Sequence, residues 1–482
     1  MSSTLVAEKP PSAAPPPNAM RATLETQRAA FLRAGAPSLA ERRADLAKLN
    51  DAVKRNVDRL AEAISADFGN RSHHETALAE AFPVHAAIRH ALRHLAGWMR
   101  PKRVSVCLEL MPAGARILYQ PVGVVGIIGP WNYPFQLTIM PLIGALAAGN
   151  RVMIKPSELT PRTADFLAEF LAGLFPPDKV ATVVGGPDVG AAFSRLPFDH
   201  LFYTGSTAVG RLVMQAAAEN LTPVTLELGG KSPCILGEDA ALPSAVDNIV
   251  YGKLLNAGQT CIAPDYVFLP QRRLEEFIAL TTRTVQKFYP TLGKNPDFTS
   301  IVNERHYKRV AQYVAEAKAS GTRVVEINPA REELPPEARK LAPTLLIEPG
   351  ENLAVMHEEI FGPVLPIKTY RDIDEAIDYV NTHPRPLALY YFGADAGKRD
   401  EVLSKTISGG AAINATLLQV AVESLPFGGI GPSGIGAYHG EFGFQTFSHR
   451  RAVYLHHPLS GTRFLFPPFG RLTDMMLKVM RR

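Results

Sequence analysis

Three residues far apart in the chain carry the chemistry needed to attack a carbonyl carbon. Cys261 ends a run of small and polar residues at 258–261, so a substrate can reach its sulfur, which reacts as a thiolate. Glu227 lies between apolar residues at the end of a strand-like run, where the raised pKa of a carboxyl suits a general base. Asn132 offers an amide donor that can hold an oxyanion.

Each of these residues also has a plain structural interpretation. An isolated cysteine is more often a small buried hydrophobe than a nucleophile. A glutamate at a strand end often forms a salt bridge, and an asparagine between two prolines often forms an Asx turn. From the residues alone, both interpretations of Glu227 stay open, whereas Asn132 by itself favours the turn.

Glycine-rich turns and a strand end are the candidates for binding a cofactor. The turn at 205–210 follows a strand and opens a helix, so its amides can face a phosphate, although it lacks the middle glycine of the usual dinucleotide fingerprint. Residues 429–434 match that fingerprint in letters, but no strand–helix–strand unit follows, and we interpret them as a tight turn. Lys155 and Glu158 end another strand, where they either hydrogen-bond ribose hydroxyls or lie in a solvated loop.

The segments around these candidates predict elements that alternate in type. Helical periodicity runs from about residue 22 to 99 and ends before Pro101. Between residues 122 and 218, buried strands alternate with helices, which favours a doubly wound parallel sheet with ligands at the carboxyl ends of its strands. A second α/β pattern runs from 224 to about 429, and residues 447–454 predict an outlying strand.

The composition is that of a folded globular protein of two or three domains. The chain has 482 residues, of which 46% are hydrophobic and 20% charged. A net charge of +5 without long basic runs gives little support for nucleic acid binding, so we expect no nucleic acid partner. The three cysteines fit neither a disulfide framework nor a zinc site, which favours a reducing, cytoplasmic location and no metal. No apolar run reaches the length of about 18 residues that predicts a membrane span.

Both ends of the chain are predicted to be solvated. Residues 1–20 are rich in alanine and proline, lack the apolar core of a signal peptide and predict a disordered tail. Residues 471–482 combine basic residues with Met475, Met476, Leu477 and Met480. We interpret this end as a solvated tail, with a short amphipathic helix as the second interpretation.

Taken in order, these signals closely resemble the aldehyde dehydrogenase superfamily. The resemblance covers roughly residues 22–455. Its motifs lie at residues 130–134, 155–158, 204–210, 227–233, 258–261, 359–363 and 425–429. Each motif is weak alone, but chance agreement over seven motifs in the same order is negligible.

Finer features place the resemblance in the class 3 branch of that superfamily. They lie at residues 261–266, 386–390 and 436–440. Within the branch, residues 192–206 and 303–307 are similar to bacterial coniferyl aldehyde dehydrogenases. The resemblance therefore implies an aromatic aldehyde such as coniferyl aldehyde, or a medium- or long-chain aliphatic aldehyde, as substrate.

The implied fold is of the α/β class, with a Rossmann-type cofactor domain, an α/β catalytic domain and a small β arm for oligomerisation. The implied boundaries are 21–100 and 123–227 for the dinucleotide-binding domain, 228–437 for the catalytic domain, 101–122 and 438–460 for the arm, and 461–482 for a C-terminal tail. The arm implies a homodimer through the outlying strand.

The resemblance also implies a role for each candidate residue. Cys261 attacks the aldehyde, and Asn132 with the Cys261 backbone N–H holds the oxyanion of the thiohemiacetal. Glu227 then activates the water that hydrolyses the thioester. Cofactor contacts are implied for Lys155, Glu158, Gly205, Ser206, Gly210, Glu359, Phe361 and Trp131. Because Glu158 near the adenine ribose repels a 2′-phosphate, we expect NAD, with NADP left open.

Two residues depart from the class 3 pattern. Ala415 stands where we expect an aspartate, and Gln419 stands where a histidine is more usual. Both lie in a region that lines the aldehyde entrance in relatives, so the departures bear on substrate choice. The alternatives to an aldehyde dehydrogenase are a cofactor-independent thiol ester hydrolase and a non-catalytic use of the fold. A membrane-associated fatty aldehyde dehydrogenase is a further variant of the first hypothesis.

Overall fold

Three β-sheets organise the part of the chain that the computed structural model describes, which is residues 17–460, 462 and 466–480. The strands are β1 (Lys102–Val104), β2 (Gly114–Pro121), β3 (Val124–Ile128), β4 (Arg151–Lys155), β5 (Val180–Thr182), β6 (His200–Thr204), β7 (Val224–Glu227), β8 (Pro233–Leu236), β9 (Tyr266–Pro270), β10 (Arg323–Glu326), β11 (Thr344–Ile347), β12 (Val364–Tyr370), β13 (Ala388–Phe392), β14 (Gly410–Ile413), β15 (Gly434–Ile435) and β16 (Ser448–Leu455).

Helices cover both faces of the larger sheets. They are α1 (Pro17–Ala34), α2 (Leu39–Arg55), α3 (Val57–Phe68), α4 (His73–Thr76), α5 (Phe82–Trp98), α6 (Gln136–Ala148), α7 (Pro161–Ala172), α8 (Pro187–Ser194), α9 (Thr207–Ala218), α10 (Leu242–Leu254), α11 (Leu274–Phe288), α12 (Glu304–Ala319), α13 (Ala354–His357), α14 (Ile373–Thr382), α15 (Ala396–Lys405), α16 (Gly440–Thr446) and α17 (Arg471–Met480). The helical periodicity predicted from 22 to 99 is thus divided among five helices, with a π-helical turn at Ala77–Ala81 between α4 and α5.

The first sheet has the strand order β15-β7-β6-β3-β4-β5 and is parallel except for β15 at one edge. The chain runs outward from β3 to β4 on one side and to β6 on the other, and a crevice opens at the carboxyl ends of strands at such a reversal. Strands β3 and β6 are buried along their whole length, and for β3 the continuous apolar sequence predicts this burial. The prediction of a doubly wound parallel sheet is confirmed.

Helix α6 is the central helix of the core beneath this sheet. Every residue from Gln136 to Ala148 is buried, so the helix is apolar on all faces. It contacts α2, α5 and α16 and ends at Gly149 in the left-handed conformation, which is the C-cap that the sequence predicts. The residues just before α6, including Asn132, are therefore held between the end of β3 and a fully buried helix.

The second sheet has seven strands in the order β10-β11-β12-β9-β8-β13-β14, of which only β10 runs antiparallel to its neighbour. Its helices α10, α11 and α14 bury apolar faces against it. The loop that carries Cys261 enters this sheet at β9, and Glu227 ends β7 of the first sheet. The two candidate residues thus come from segments that belong to two different sheets.

The third sheet consists of β1, β2 and β16, with β16 antiparallel to β2 over eight residue pairs. The strand predicted at 447–454 is therefore present. The predicted arm boundary at 438 is too early, because Tyr438, Phe444 and Phe447 belong to the core around α6. Helix α16 packs on α5 and α6 and also contacts β16. Likewise, β15 lies in the segment predicted to belong to the catalytic domain, but it pairs with β7 of the first sheet.

The chain ends differ from their predictions. The predicted disordered tail at 1–20 extends too far, because α1 begins at Pro17 and Met20 is buried in the core of the first sheet. Residues 1–16 lie outside the described residues. Residues Arg471–Met480 form a helix, as the second interpretation of this end expected, because their apolar residues recur at helical spacing, and most of the described side chains of this helix are exposed. Every helix among the described residues is too short or too polar to cross a bilayer.

Candidate active site

The nucleophile candidate Cys261 follows an unusual backbone turn. In the short 3₁₀ segment Leu255–Gly258, Asn256 and Ala257 have φ of 53°, and Gly258 has φ of 78°. Left-handed conformations at non-glycine residues are costly and persist where the surroundings enforce them. A side chain at position 258 would overlap the Gly362 carbonyl, so only glycine fits there. The turn sets where Cys261 lies.

The thiol of Cys261 lies beside two carboxyl groups. Cys261 is half-buried, whereas the other free cysteines are fully exposed or fully buried. Burial of the sulfur, followed by the charges of Glu359 and Glu227, raises the pKa of the Cys261 thiol. The packing agrees, because a side chain at Gly229 would overlap the Glu359 carboxylate and one at Gly258 would overlap the Gly362 carbonyl. Cys261, Glu227 and Glu359, which lie in three separate segments, therefore converge on one place.

Glu227 is a buried carboxyl at the last residue of β7. Its exposed fraction is 2%, and neither carboxyl oxygen has a hydrogen-bond partner among the described residues. Burial alone raises its pKa well above 4.5. A buried unpartnered carboxyl costs folding free energy, so its retention favours a chemical role over the salt bridge considered from the sequence.

Asn132 is 3% exposed and lies between β3 and α6. Its side-chain Nδ2 donates to the Gln259 carbonyl at 3.1 Å, two residues before Cys261. An amide nitrogen carries two hydrogens, so one remains for a substrate oxygen. The Asn132 backbone carbonyl accepts from Arg71 Nη1 at 3.0 Å and from Asn256 Nδ2 at 3.1 Å. The oxyanion donor is thus bound directly to the nucleophile loop.

Lys155 and Glu158 lie together at the carboxyl end of β4. Lys155 is 3% exposed and forms an ion pair with Glu158, whose side chain is 35% exposed. A buried lysine and a reachable carboxylate at a strand end are suitable donors and acceptors for sugar hydroxyls. The solvated-loop interpretation of Lys155 does not fit its burial.

The turn at 205–210 joins β6 to α9, as predicted. Ser206 is the N-cap residue of α9, and its side chain accepts from Val209 N at 3.4 Å. A side chain at Gly205 would overlap the Tyr203 hydroxyl, and a Cβ at Gly210 would lie 2.7 Å from Leu228 Cδ2. Both glycines are therefore required by internal packing that brings the amino end of α9 close to the sheet.

Aromatic and acidic residues form the opposite side of the crevice. Trp131 contacts Phe361 edge to face at a ring distance of 5.3 Å and His306 at 5.0 Å. The Glu359 carboxylate occupies the space where a side chain at Gly229 would lie, and burial raises its pKa to about 8. One Glu359 oxygen has no partner among the described residues. A free buried acceptor beside aromatic rings fits a ribose hydroxyl with a planar ring next to it.

The structure adds residues that the sequence did not single out. Tyr438, Glu423 and His439 are buried, and each has a polar atom without a partner among the described residues. Burial and then the charges of Glu227 and Cys261 raise the pKa of Tyr438. Gln419 Nε2 donates to the Tyr390 hydroxyl at 3.2 Å. Tyr438 and His439 lie in the stretch 436–440 on which the class 3 resemblance rests, and that resemblance was the signal available from the sequence.

The glycine sequence at 429–434 is a tight turn, as interpreted from the sequence. Gly434 N donates to Gly431 O at 3.2 Å, and Gly434 then pairs with Glu227 across β15 and β7. Thr207 Oγ1 donates to Pro432 O at 3.1 Å. The turn therefore holds the strand that carries Glu227. Within the described residues, no group of three or more His, Cys, Asp or Glu side chains is arranged to hold a metal ion.

Comparison with known proteins assigns this site to a family. A sequence model described as the aldehyde dehydrogenase family matches residues 13–453. The chain belongs to the aldehyde dehydrogenase family. Its relatives include the probable coniferyl aldehyde dehydrogenase of Caulobacter vibrioides, 50% identical over 94% of each chain. The coniferyl aldehyde dehydrogenase of Pseudomonas sp. is 47% identical over 95% of each.

Further relatives support the class 3 branch and the fold. Aldehyde dehydrogenase family 3 member A2 of Pongo abelii is 41% identical over 89% of this chain and 86% of that one. A substrate-bound Staphylococcus aureus aldehyde dehydrogenase has a TM-score of 0.91 and 37% identity, covering 96% of this chain and 99% of that one. The Mycobacterium tuberculosis enzyme complexed with NAD⁺ has a TM-score of 0.82 and 28% identity, covering 92% and 91%. The protein is therefore an aldehyde dehydrogenase enzyme, and NAD(P) dependence has general support.

Proposed function

We propose that this aldehyde dehydrogenase oxidises an aldehyde to the free carboxylic acid through covalent thiohemiacetal and thioester intermediates on Cys261. The observation that carries the proposal is the convergence of a reachable thiol, an unpartnered buried carboxyl and an amide donor. Cys261 and Glu227 are electrostatically coupled, and Asn132 is hydrogen-bonded to the loop before Cys261. These are the parts that acyl transfer through a thiol requires.

In the first step the Cys261 thiol releases its proton to water, and the sulfur forms a bond to the aldehyde carbon. The carbonyl π electrons move onto oxygen, and the Asn132 amide with the Cys261 backbone N–H donates to that oxyanion. Such a donor typically contributes about 3 kcal/mol to the transition state. When bound, NAD(P)⁺ supplies the hydride acceptor that converts the thiohemiacetal to the thioester.

In the second step Glu227 takes a proton from a water molecule. The resulting hydroxide adds to the thioester carbon, the carbon–sulfur bond breaks, and the acid leaves while Cys261 is restored. A general base contributes about 10²- to 10⁴-fold to such a proton transfer. Only the deprotonated form of Glu227 can act, and its raised pKa makes it a strong base once it is ionised.

The residues along the crevice fit a nicotinamide dinucleotide. Lys155 and Glu158 would bind the adenine ribose, and the turn with Gly205, Ser206 and Gly210 would face the phosphates. Glu359 would bind the nicotinamide ribose, beside the rings of Phe361 and Trp131. The partly exposed Glu158 carboxylate would repel a 2′-phosphate, so NAD is the proposed preference over NADP.

The names of the relatives favour an aromatic aldehyde of the coniferyl type. Buried polar atoms of Glu423 and His439 without partners among the described residues are available to a substrate hydroxyl. A long-chain aliphatic aldehyde is the second candidate, because α17 exposes the apolar residues Leu472, Met475 and Leu477. These residues would suit contact with a lipid surface.

The test is a panel of kcat/KM values for coniferyl aldehyde, cinnamaldehyde, hexanal and hexadecanal, each with NAD and NADP. We expect coniferyl aldehyde with NAD to give the highest value. Cys261→Ala should lose oxidation while NAD binding, measured by calorimetry, stays within about twofold. Cys107→Ala, which changes an exposed cysteine, is the matched control and should keep full activity.

The same measurements distinguish the proposed function from the alternative functions. Ester hydrolysis that needs no nucleotide, together with no aldehyde oxidation, would favour the thiol ester hydrolase. Oxidation that survives Cys261→Ala would contradict the covalent mechanism. A protein that binds NAD but oxidises none of the four aldehydes would contradict the proposed substrates.

A further inference from the structure

We infer that Arg71 and Glu80 are positioning residues that hold the oxyanion donor Asn132 in place for acylation of Cys261. The inference rests on the proposed function and assigns a role to a buried ion pair outside the reacting groups. Arg71 and Glu80 are both inaccessible to solvent, and Arg71 Nη1 lies 3.0 Å from Glu80 Oε1. Arg71 lies just before α4, and Glu80 lies within the π-helical turn that follows α4.

The Arg71 guanidinium fixes the backbone at Asn132. Its Nη1 donates to the Asn132 carbonyl oxygen at 3.0 Å, across 61 positions of sequence. The guanidinium also stacks over the Tyr133 ring at 4.7 Å from its centre. Arg71 therefore contacts both the oxyanion donor and the next residue along the chain.

The Glu80 carboxylate fixes the other end of the same segment. Its Oε2 accepts from Phe135 N at 3.2 Å and from Gln136 N at 2.6 Å. The first N–H groups of a helix have no partner within the helix, and an anion there is stabilised by the helix dipole. The ion pair thus holds both ends of the short connection from Asn132 to the start of α6.

A second set of hydrogen bonds transmits this position to the nucleophile loop. Asn256 Nδ2 donates to the Asn132 carbonyl and to the Gln259 carbonyl, each at 3.1 Å. Glu75 accepts from Asn256 N at 3.2 Å. The Asn132 carbonyl is therefore shared between Arg71 and the left-handed turn that places Cys261.

The free-energy cost of burying this ion pair favours a role in positioning Asn132 over a role in stabilising the fold. Two of the three guanidinium nitrogens of Arg71, Nε and Nη2, have no partner among the described residues. Burial raises the pKa of Glu80 to about 7, and Arg71 opposes that shift. Buried ion pairs contribute little net stability compared with apolar residues of similar size. What the pair supplies is directional hydrogen bonding to one backbone segment.

The test compares four variants by pre-steady-state kinetics. Arg71→Met should lower the rate of the hydride burst about 10- to 100-fold, as expected for displacement of a catalytic group by about 1 Å. Arg71→Lys should recover part of that loss. Glu80→Gln, which keeps the shape of the side chain, should slow the burst about tenfold even if Arg71→Met does not fold. KM for NAD should change less than about threefold in each.

Arg42→Met is the matched control. Arg42 is also buried and donates to the backbone carbonyls of Pro37 and Ala147, away from the site. It should lower the melting temperature while the burst rate stays within about twofold. Alkylation of Cys261 by iodoacetamide, which requires no oxyanion donor, should proceed at an unchanged rate in every folded variant.

A double-mutant cycle with Asn132→Ala completes the test. If Arg71 acts through Asn132, Arg71→Met should have little further effect on the burst once Asn132 is Ala. Full additivity, or a burst rate in the Arg71 and Glu80 variants equal to that of Arg42→Met, would overturn the inference. Active wild-type protein is a condition of the test: no aldehyde oxidation by the wild type would overturn the proposed function first.

Discussion

At the scale of the residue, the proposed chemistry depends strongly on Glu227, which is buried at the end of β7. Both of its oxygens lack partners among the described residues at 2% exposure. From the sequence alone, a salt bridge and a catalytic role are equally consistent with a glutamate at a strand end. Burial without a partner does not fit the salt bridge. It leaves a carboxyl that can take a proton once it is ionised.

Glu227→Gln should stop turnover after the thioester forms. The variant cannot accept a proton from water, so we expect a burst of about one reduced cofactor per active site and then a steady-state rate lower by about 10²-fold or more. Stopped-flow absorbance at the reduced-nicotinamide band measures both phases. Loss of the burst as well would mean that Glu227 acts before hydride transfer.

The raised pKa of Glu227 also makes folding stability depend on pH. The folded state holds this proton at pH values where the unfolded state has released it, so stability falls as pH rises from about 4.5 to the raised folded pKa. Glu227→Gln removes that loss. Its melting temperature should exceed that of the wild type increasingly between pH 4.5 and 8, and equal curves would contradict the burial argument.

At the scale of elements, packing between strand, turn and helix sets the shape of the cofactor crevice. The β6–α9 turn approaches Tyr203 so closely that Gly205 has no space for a side chain. That contact is one reason why the turn requires glycine. The sequence suggested another reason, which is close approach of the chain to a phosphate. Both reasons can hold, since packing fixes where the helix amides point.

Gly205→Ala should therefore disturb cofactor binding through the fold. The added methyl must displace the buried Tyr203 ring, which typically costs about 1–3 kcal/mol of stability. We expect a lower melting temperature and an NAD KM raised about tenfold, measured by thermal scanning and steady-state kinetics. Gly97→Ala, at a helical glycine with open space around it, is the control and should be neutral or stabilising. Similar results for both variants would show that the contact with Tyr203 is unimportant.

At the scale of the whole molecule, the small third sheet leaves a long strand edge with no partner strand in the part of the chain that the structure describes. Strand β16 lies at the edge of the order β1-β2-β16 and spans eight residues, whereas the other edge strand β1 has three. An exposed long edge is a template for pairing with another chain. This geometry supports the homodimer that the family resemblance implies.

We expect the protein in solution to have twice the 52.4 kDa mass of one chain. Light scattering coupled to size-exclusion chromatography, with loading concentrations from about 1 to 50 µM, measures the mass directly. A constant dimer mass over this range would support pairing through β16 or a neighbouring surface. A monomer at every concentration would contradict the prediction.

Several features were predictable from the sequence because they depend on neighbours along the chain. Cys261, Glu227 and Asn132 were identified from their residue types, their local surroundings and the order of their motifs. The parallel sheet followed from alternating periodicity, and the turn at 429–434 was rejected as a cofactor site because the sequence after it predicts no strand–helix–strand unit of the cofactor-binding kind. Such features are local, so the amino-acid sequence alone determines them.

Contacts between segments far apart in the chain were decided only by the tertiary structure. Arg71 reaches Asn132 across 61 positions, and Glu80 reaches Phe135 across 55. Within the helical pattern of 22–99, both residues look like ordinary polar positions, and the π-helical turn that places Glu80 has no periodic signal. The placement of α16 on the first core is likewise unpredictable locally. The sequence therefore indicated which groups are candidates for the chemistry, and long-range packing decided how they are held.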